Sequence, residues 1–111
     1  MKYGEIWFVQ FPDGAGHEFK KERPALIVES DSQISRTNVY TILPLTSNIY
    51  NCLDEDIVVV ADNENRLNRD SVIKVHHIQT FDASRFLKRI GKVSNEILLE
   101  IKEYLKVHFN I

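Results

Sequence analysis

The sequence predicts one mainly β domain that ends in a single α-helix, with the strands forming a strongly bent sheet or a small barrel. Three observations support this prediction. Six short apolar segments are separated by turn residues, no helix alternates with them, and the apolar spacing becomes helical only near the C-terminus. A length of 111 residues suits one domain, and 43% hydrophobic with 27% charged residues is typical of a folded globular chain.

The first two predicted strands flank a long charged connection. Residues 5–11 (EIWFVQF) are apolar on both faces, which indicates a central strand, and residues 25–30 (ALIVES) form the second strand, followed by a polar turn. The connection between Pro12 and Pro24 contains the stretch HEFKKERP. A connection of this length inside a small domain is often functional.

Four more strands are predicted before the helix, at residues 39–45, 56–61, 71–78 and 87–93. Pro44 marks the end or edge of the third, because proline has no N–H to donate to a strand ladder. Gly91 in the last indicates a bulge or a close backbone approach, and Asp82 is placed to cap a helical turn just before it.

The C-terminal segment has the period of an amphipathic helix. Ser94 is a favourable N-cap, and Glu96 suits the positive end of the helix. The residues that recur at three- and four-residue spacing are Ile97, Leu98, Ile101, Tyr104, Leu105 and His108.

Charge and cysteine content exclude several classes of protein. A formal net charge of −2 excludes binding of nucleic acid by a basic body as a whole, so any such contact must be local. The single cysteine, Cys52, excludes an internal disulfide and a multi-cysteine zinc site and suits a reducing compartment. The N-terminus lacks a secretory layout and no apolar run could span a membrane, so a cytoplasmic protein is expected.

The sequence predicts no metal site and no cofactor. His76 and His77 are adjacent on a predicted strand and would point to opposite faces, so they would not share one ion. The phosphate-binding glycine loop, the nucleophile elbow and the HExxH zinc motif do not occur.

Polar residues at the predicted strand ends suggest a different chemistry. They are His17, Arg23, Thr46, Ser47 and Asn48 in loops, with Lys74 and His76 sharing one face of a strand by period-two spacing. Cations to hold anionic oxygens and an imidazole for proton transfer suit a phosphodiester, and RNA supplies its own 2′-hydroxyl nucleophile. The alternative interpretation is that charged loop residues only keep the loops solvated.

The chain resembles the MazF/PemK family of toxin endoribonucleases. The resemblance extends in order over nearly the whole chain, through GEIW (4–7), GHE (16–18), RPALIV (23–28), PLTS (44–47), DSVI (70–73), IQTFD (78–82) and IGKVS (90–94). It implies a single toxin domain over residues 1–111 with an SH3-like barrel of five to seven strands. It also implies a homodimer, a cognate antitoxin, and metal-independent cleavage of single-stranded RNA.

Carried over to this sequence, the resemblance makes Arg23 and Thr46 the leading catalytic residues. Some members use a histidine that matches His17, together with an arginine and an aspartate at the positions of Lys74 and His76. The general base therefore stays open: His76 takes that role, or the site follows the arginine–threonine version of the family. The residues expected to contact RNA are Phe19, Lys20, Ser47, Asn48, Tyr50, Lys74, His77 and Gln79.

Two of these expectations have alternatives. Phe19 and Tyr50 either stack on unpaired bases or pack on the sheet. Gln79 stands where arginine is usual in the family, which predicts altered RNA contacts. Two other functions remain open, namely a gyrase-poisoning toxin on the same fold that binds a protein through its C-terminal helix, and an inactive relative that serves as an interaction module.

Overall fold

The computed structural model describes residues 1–12, 22–34, 36–50 and 52–111. Its regular elements are the strands β1 Glu5–Gln10, β2 Glu22–Ile27, β3 Val39–Thr46, β4 Ile57–Val59, β5 Ser71–Ile73, β6 Gln79–Asp82 and β7 Phe86–Lys92, and the helices α1 Asp31–Ile34 and α2 Asn95–Phe109. A 3₁₀ turn, Ala83–Arg85, precedes β7, and the carboxylate of Asp82 accepts a hydrogen bond from Ser84 N, as the predicted cap requires. None of the described helices is long and apolar enough to cross a membrane.

The strands form an antiparallel sheet in the order β4-β5-β3-β2-β1-β7, with β6 pairing to the first half of β3. The predicted central position of the first strand is confirmed. Pro44, in contrast, does not mark a strand end or an edge, because it lies inside β3 opposite Ala25. The sheet tolerates proline there because Pro44 lies in a gap on the other side of β3. The pairing of β3 with β6 ends at Ile42, and its pairing with β5 begins at Leu45.

A mainly β fold with a C-terminal helix is confirmed, but strand pairing leaves the barrel open. Among the described residues no pairing joins β4 to β7, the two ends of the strand order. The turn after β4 contacts β7 instead, where Lys92 N donates to Glu64 O at 3.2 Å. Gly91 allows this approach, since a Cβ at that position would lie 2.4 Å from Asn65 O.

Alternating side chains on the central strands build two hydrophobic clusters on opposite faces of the sheet. Leu26 and Leu43 belong to one cluster, and their neighbours Ile27 and Ile42 belong to the other. Helix α2 covers the first cluster with Ile101, which is fully buried. Each such side chain contributes roughly 1.5–3 kcal/mol to folding, so the two faces fix the strand register.

Helix α2 begins and ends as its sequence predicts. The hydroxyl of Ser94 accepts a hydrogen bond from Ile97 N at 3.3 Å, and Asn110 ends the helix in the left-handed conformation. The predicted apolar face is confirmed, except that His108 is exposed and lies against Tyr104 instead of the core.

Three predicted strands are wrong in their extent. The second runs over Glu22–Ile27 instead of 25–30, so Arg23 lies on a strand and not in a loop, and the fourth is only Ile57–Val59. The segment at residues 71–78 is not a single strand, because β5 ends at Ile73 and the chain turns through Val75 and His76 before β6, which the sequence did not predict. Two contacts explain the turn. The carboxylate of Asp56 accepts from Val75 N, and His77 N donates to Lys74 O at 3.1 Å. A smaller difference is that helix α1 occupies the predicted polar turn after the second strand.

Candidate active site

The register of the sheet brings Arg23 and Thr46 together. Ala25 lies opposite Pro44, so the same register continued by two residues places Arg23 opposite Thr46, on the same face. The Arg23 side chain is buried on the face it shares with Val9, its partner on β1. Its guanidinium Nη1 donates to Leu45 O at 3.3 Å, which fixes the cation beside the last residue of β3.

Thr46 opens the loop that follows β3, and its hydroxyl organises the first turn of that loop. Thr46 Oγ1 accepts a hydrogen bond from Asn48 N at 3.2 Å. A hydroxyl that accepts a hydrogen bond keeps its own proton to donate. Thr46 is half-buried, whereas Ser47 and Asn48 are exposed and Tyr50 is 95% exposed. The loop therefore presents hydroxyl, amide and aromatic groups to solvent next to a buried cation.

Three predicted site residues, His17, Phe19 and Lys20, lie outside the described residues. The strands that flank them meet at this end of the sheet, where Gln10 pairs with Glu22.

Lys74 is placed differently from its prediction. It lies beyond the end of β5 and is buried, and its ammonium Nζ lies 3.0 Å from Asp56 Oδ2. The expected strand face shared by Lys74 and His76 is wrong, because the chain turns between β5 and β6. The structure thus brings Lys74 to a carboxylate, and its contact with RNA stays a prediction.

His76 belongs to a cluster at the C-terminal half of helix α2. Its Nδ1 lies 2.7 Å from the hydroxyl of Tyr104, which is also 3.0 Å from His108 Nδ1, and its Nε2 lies 3.5 Å from Glu55 Oε2. A hydroxyl has one proton, so with both imidazoles neutral it donates to one Nδ1 and accepts from the other. Partial burial, and then the charges of Glu55 and Asp56, raise the pKa of Tyr104 above its ordinary value of 10.0.

The other two predicted RNA contacts lie near β6. His77 is half-buried in the turn before it, and Gln79 is the first residue of β6, opposite Ile42. Ile42 is four residues before Thr46 on β3, so Gln79 shares the face of Thr46 but lies about 13 Å along the strand from it. The structure therefore gathers Arg23, Thr46, Ser47 and Asn48 at the end of β3 and separates Gln79 from them along the strand. Lys74 and His76 have partners of their own, Asp56 and Tyr104.

The sequence interpretation missed two residues of this region. Asp56 was assigned only as the start of a strand, although a carboxylate directly before a buried apolar strand needs a partner. Arg85, in the 3₁₀ turn before β7, was not considered as a site residue, yet its Nη1 donates to Gln10 O at 3.3 Å, beside the Gln10–Glu22 pair. Within the described residues no group of three or more histidine, cysteine or acidic side chains is close enough to hold a metal ion.

Solved structures identify the fold. The fold matches that of MazF from Deinococcus radiodurans with a TM-score of 0.82 and 21% sequence identity, covering 100% of this chain and 97% of that one. A MazE–MazF structure from the same organism matches with a TM-score of 0.76 and 18% identity over 100% of this chain and 97% of that chain. The sheet and helix described above are thus the fold of the MazF toxins.

Sequence comparison then gives the family. The family described as PemK-like, MazF-like toxin of type II toxin-antitoxin system matches residues 2–109. Endoribonuclease MazF9 of Mycobacterium tuberculosis H37Rv is 31% identical over 117 residues, covering 100% of this chain and 98% of the relative. The chain belongs to the PemK-like, MazF-like toxin family. The resemblance to toxin endoribonucleases that the sequence motifs indicate is confirmed.

Proposed function

We propose that this toxin cleaves single-stranded RNA by attack of a 2′-hydroxyl on the adjacent phosphate. The products are a 2′,3′-cyclic phosphate or 3′-phosphate end and a 5′-hydroxyl end. The observation that carries the proposal is the buried Arg23 guanidinium held beside Thr46 at one end of the sheet. This pair offers a fixed cation and a hydroxyl donor to one phosphate, and the internal nucleophile leaves no step that requires a metal ion.

Arg23 stabilises the negative charge that develops on the phosphate oxygens during attack. Arginine stays protonated in proteins, so it acts as a cation and hydrogen-bond donor rather than as a base. A buried cation acts more strongly than an exposed one because fewer water molecules screen its charge. Thr46 donates its hydroxyl proton to a second phosphate oxygen and orients the group.

The surroundings of His76 favour the arginine–threonine version of the site. Each ring nitrogen of His76 lies near another protein group, Tyr104 or Glu55, whereas Arg23 is hydrogen-bonded to the strand that carries Thr46. His17 remains a candidate general base, and it lies outside the described residues.

RNA contacts are proposed for the exposed loop after β3. Tyr50 offers an aromatic face for stacking on an unpaired base, and Ser47 and Asn48 offer hydrogen bonds to bases or phosphates. The alternative that Tyr50 packs on the sheet has little support, because its side chain is almost fully exposed. Contacts from Phe19, Lys20, Lys74, His77 and Gln79 stay predictions.

We also propose a homodimer and a cognate antitoxin as partners. The MazE–MazF structures support an antitoxin for this fold. Apolar side chains are exposed and available for such contacts on and just after both β4 and the C-terminal part of α2. They are Val58, Val60, Val107, Phe109 and Ile111. Since messenger RNA and antitoxin are found in the cytoplasm, the toxin would act there and stop translation and growth.

Incubation of the purified protein with total RNA, in EDTA and in Mg²⁺, tests the function. We expect equal cleavage in both buffers at a short recurrent sequence, and 5′ ends that a kinase can label without prior phosphatase treatment. Failure to cleave RNA in either buffer would contradict the proposal and favour the protein-binding toxin or the inactive module. Cleavage in Mg²⁺ alone would contradict the mechanism.

A further inference from the structure

The loop after Thr46 passes from one end of β5 to the other. Ile73, the last residue of β5, pairs with Leu45 on one side and with Ile57 on the other. β3 and β4 are therefore parallel, so the loop that joins them leaves β3 near the start of β5, where Thr46 lies opposite Val72, and returns at Asp56 to the other end of β5. We call the described residues of this loop, 47–50 and 52–56, the arch. The exposed groups proposed to contact RNA all belong to this arch.

Lys74 follows β5 at the end where the arch returns, and it is bonded both to β3 and to the last residue of the arch. Its backbone N donates to Pro44 O at 2.9 Å, on the strand that enters the loop. Its side-chain Nζ donates to Asp56 Oδ2 at 3.0 Å, at the point where the loop ends. The two side chains are only 8% and 1% exposed, so this ion pair lies inside the protein.

The Asp56 carboxylate collects donors from three places. Besides Lys74 Nζ, it accepts from Leu53 N at 2.9 Å, within the arch, and from Val75 N at 3.3 Å, after β5. A buried carboxylate needs such partners because burial removes its water. Its charge thus draws the returning half of the loop and the segment after β5 to one point.

We propose that Lys74 and Asp56 are positioning residues for RNA cleavage, which hold the arch so that Ser47, Asn48 and Tyr50 stand beside Arg23. This inference rests on the proposed function and goes beyond it. Lys74 acts through Asp56 and the loop, in place of the direct RNA contact that the family resemblance predicts for it. Without the ion pair the loop has many conformations, and RNA binding must then restrict them at an entropic cost.

Two measurements separate positioning from direct contact. The first is kcat/KM on an RNA that carries the cleavage sequence mapped on total RNA. The second is the salt dependence of Kd for the same sequence in 2′-O-methyl form, which lacks the nucleophile. We expect Lys74→Met to lower kcat/KM between about tenfold and 100-fold and to weaken binding at every salt concentration with an unchanged slope. Lys74→Arg, which keeps the charge, should restore most of this loss.

Lys106→Met is the matched control, because it removes one lysine charge from the exposed side of α2. It should leave kcat/KM and the salt slope unchanged. Because loss of one buried partner can unfold a protein, Lys74→Met combined with Asp56→Asn removes both charges together. This double variant should fold, shown by its circular dichroism spectrum, and should still cleave slowly.

Three results would overturn the inference. The slope of the logarithm of the association constant against log salt is negative. If its magnitude is smaller by about 0.7 in Lys74→Met, Lys74 contacts a phosphate. A lower melting temperature with unchanged kcat/KM in Lys74→Met would mean that the pair only stabilises the fold. Full activity in the double variant would mean that the ion pair does not place the loop. A wild-type protein that cleaves no RNA would instead contradict the proposed function itself.

Discussion

The Arg23 guanidinium and the His76 imidazole differ in what holds them. Arg23 is buried on a strand, and both its position opposite Thr46 and its hydrogen bond to Leu45 O follow from the sheet register. His76 lies in a turn, its side chain is 37% exposed, and side chains from a helix and a loop surround it. The comparison shows that strand register fixes which groups meet, whereas the partners of a turn residue depend on whatever packs nearby.

The largest effect on RNA cleavage is expected for Arg23, the buried residue of this comparison. Arg23→Ala should lower the rate of RNA cleavage about 10²- to 10³-fold, as expected for loss of a preorganised donor to a charged transition state. The rate is measured in single-turnover reactions on the mapped sequence, and circular dichroism shows whether the fold is kept. Arg89→Ala serves as the control, because Arg89 lies at the other end of β1, where it pairs with Glu5. A folded Arg23→Ala variant with near wild-type activity would show that Arg23 does not take part in catalysis.

Thr46 should show a smaller effect of the same kind. Thr46→Val keeps the shape of the side chain and removes the hydroxyl, which should lower the cleavage rate about tenfold to 100-fold, the range of a hydrogen bond to a charged group. Thr46→Ser should recover most of that loss. Equal rates for the valine variant and the wild type would show that the hydroxyl does not act on the phosphate.

The sequence predicts that Arg23 and Thr46 lie at matching strand ends, although it starts the second strand three residues too late, and it predicts the turn at His76 poorly. The difference has a physical reason. Apolar alternation in β2 and β3 sets both strands and their faces, so the meeting of Arg23 and Thr46 follows from local pattern and pairing. At residues 71–78 the apolar pattern continues through a turn, which is held in part by a contact from Asp56, 19 positions before Val75. A side-chain contact over that separation leaves no periodic signal.

His76 should matter less for cleavage than either of these residues. His76→Phe keeps a ring against Tyr104 and removes both nitrogens, and we expect less than about a threefold change in cleavage rate. The expected loss of folding stability is about 0.5–1.5 kcal/mol, the net value of one hydrogen bond, measured by urea unfolding. His108→Phe, at the other side of the Tyr104 hydroxyl, is the matched variant. A reaction that is tenfold slower in His76→Phe but not in His108→Phe would show that His76 acts as the general base.

The smallest effect concerns acid stability at the end of β1 opposite to Arg23. Burial alone would raise the pKa of Glu5, but hydrogen bonds from Trp7, Arg89 and the backbone of Lys2 outweigh it and hold the pKa below its usual value of 4.5. A lowered pKa means that Glu5 contributes stability above pH 4.5, and that this contribution is lost as the pH falls through the folded-state pKa.

Glu5→Gln should therefore reduce the free energy of unfolding by up to about 1 kcal/mol near pH 7. The difference from the wild type should shrink as the pH falls below 4.5. Urea unfolding at a series of pH values measures it, and cleavage at neutral pH should be unchanged. A difference that grows toward acid pH would contradict the assigned direction of the pKa.

The central claim is that Arg23 and Thr46 act on one phosphate as a unit, and a double-mutant cycle on the cleavage rate tests it most directly. If the two act together, Arg23→Ala combined with Thr46→Val should cleave within about twofold of Arg23→Ala alone, because the threonine loses its role once the cation is gone. A double variant whose loss equals the product of the two single losses would show that the two residues act independently.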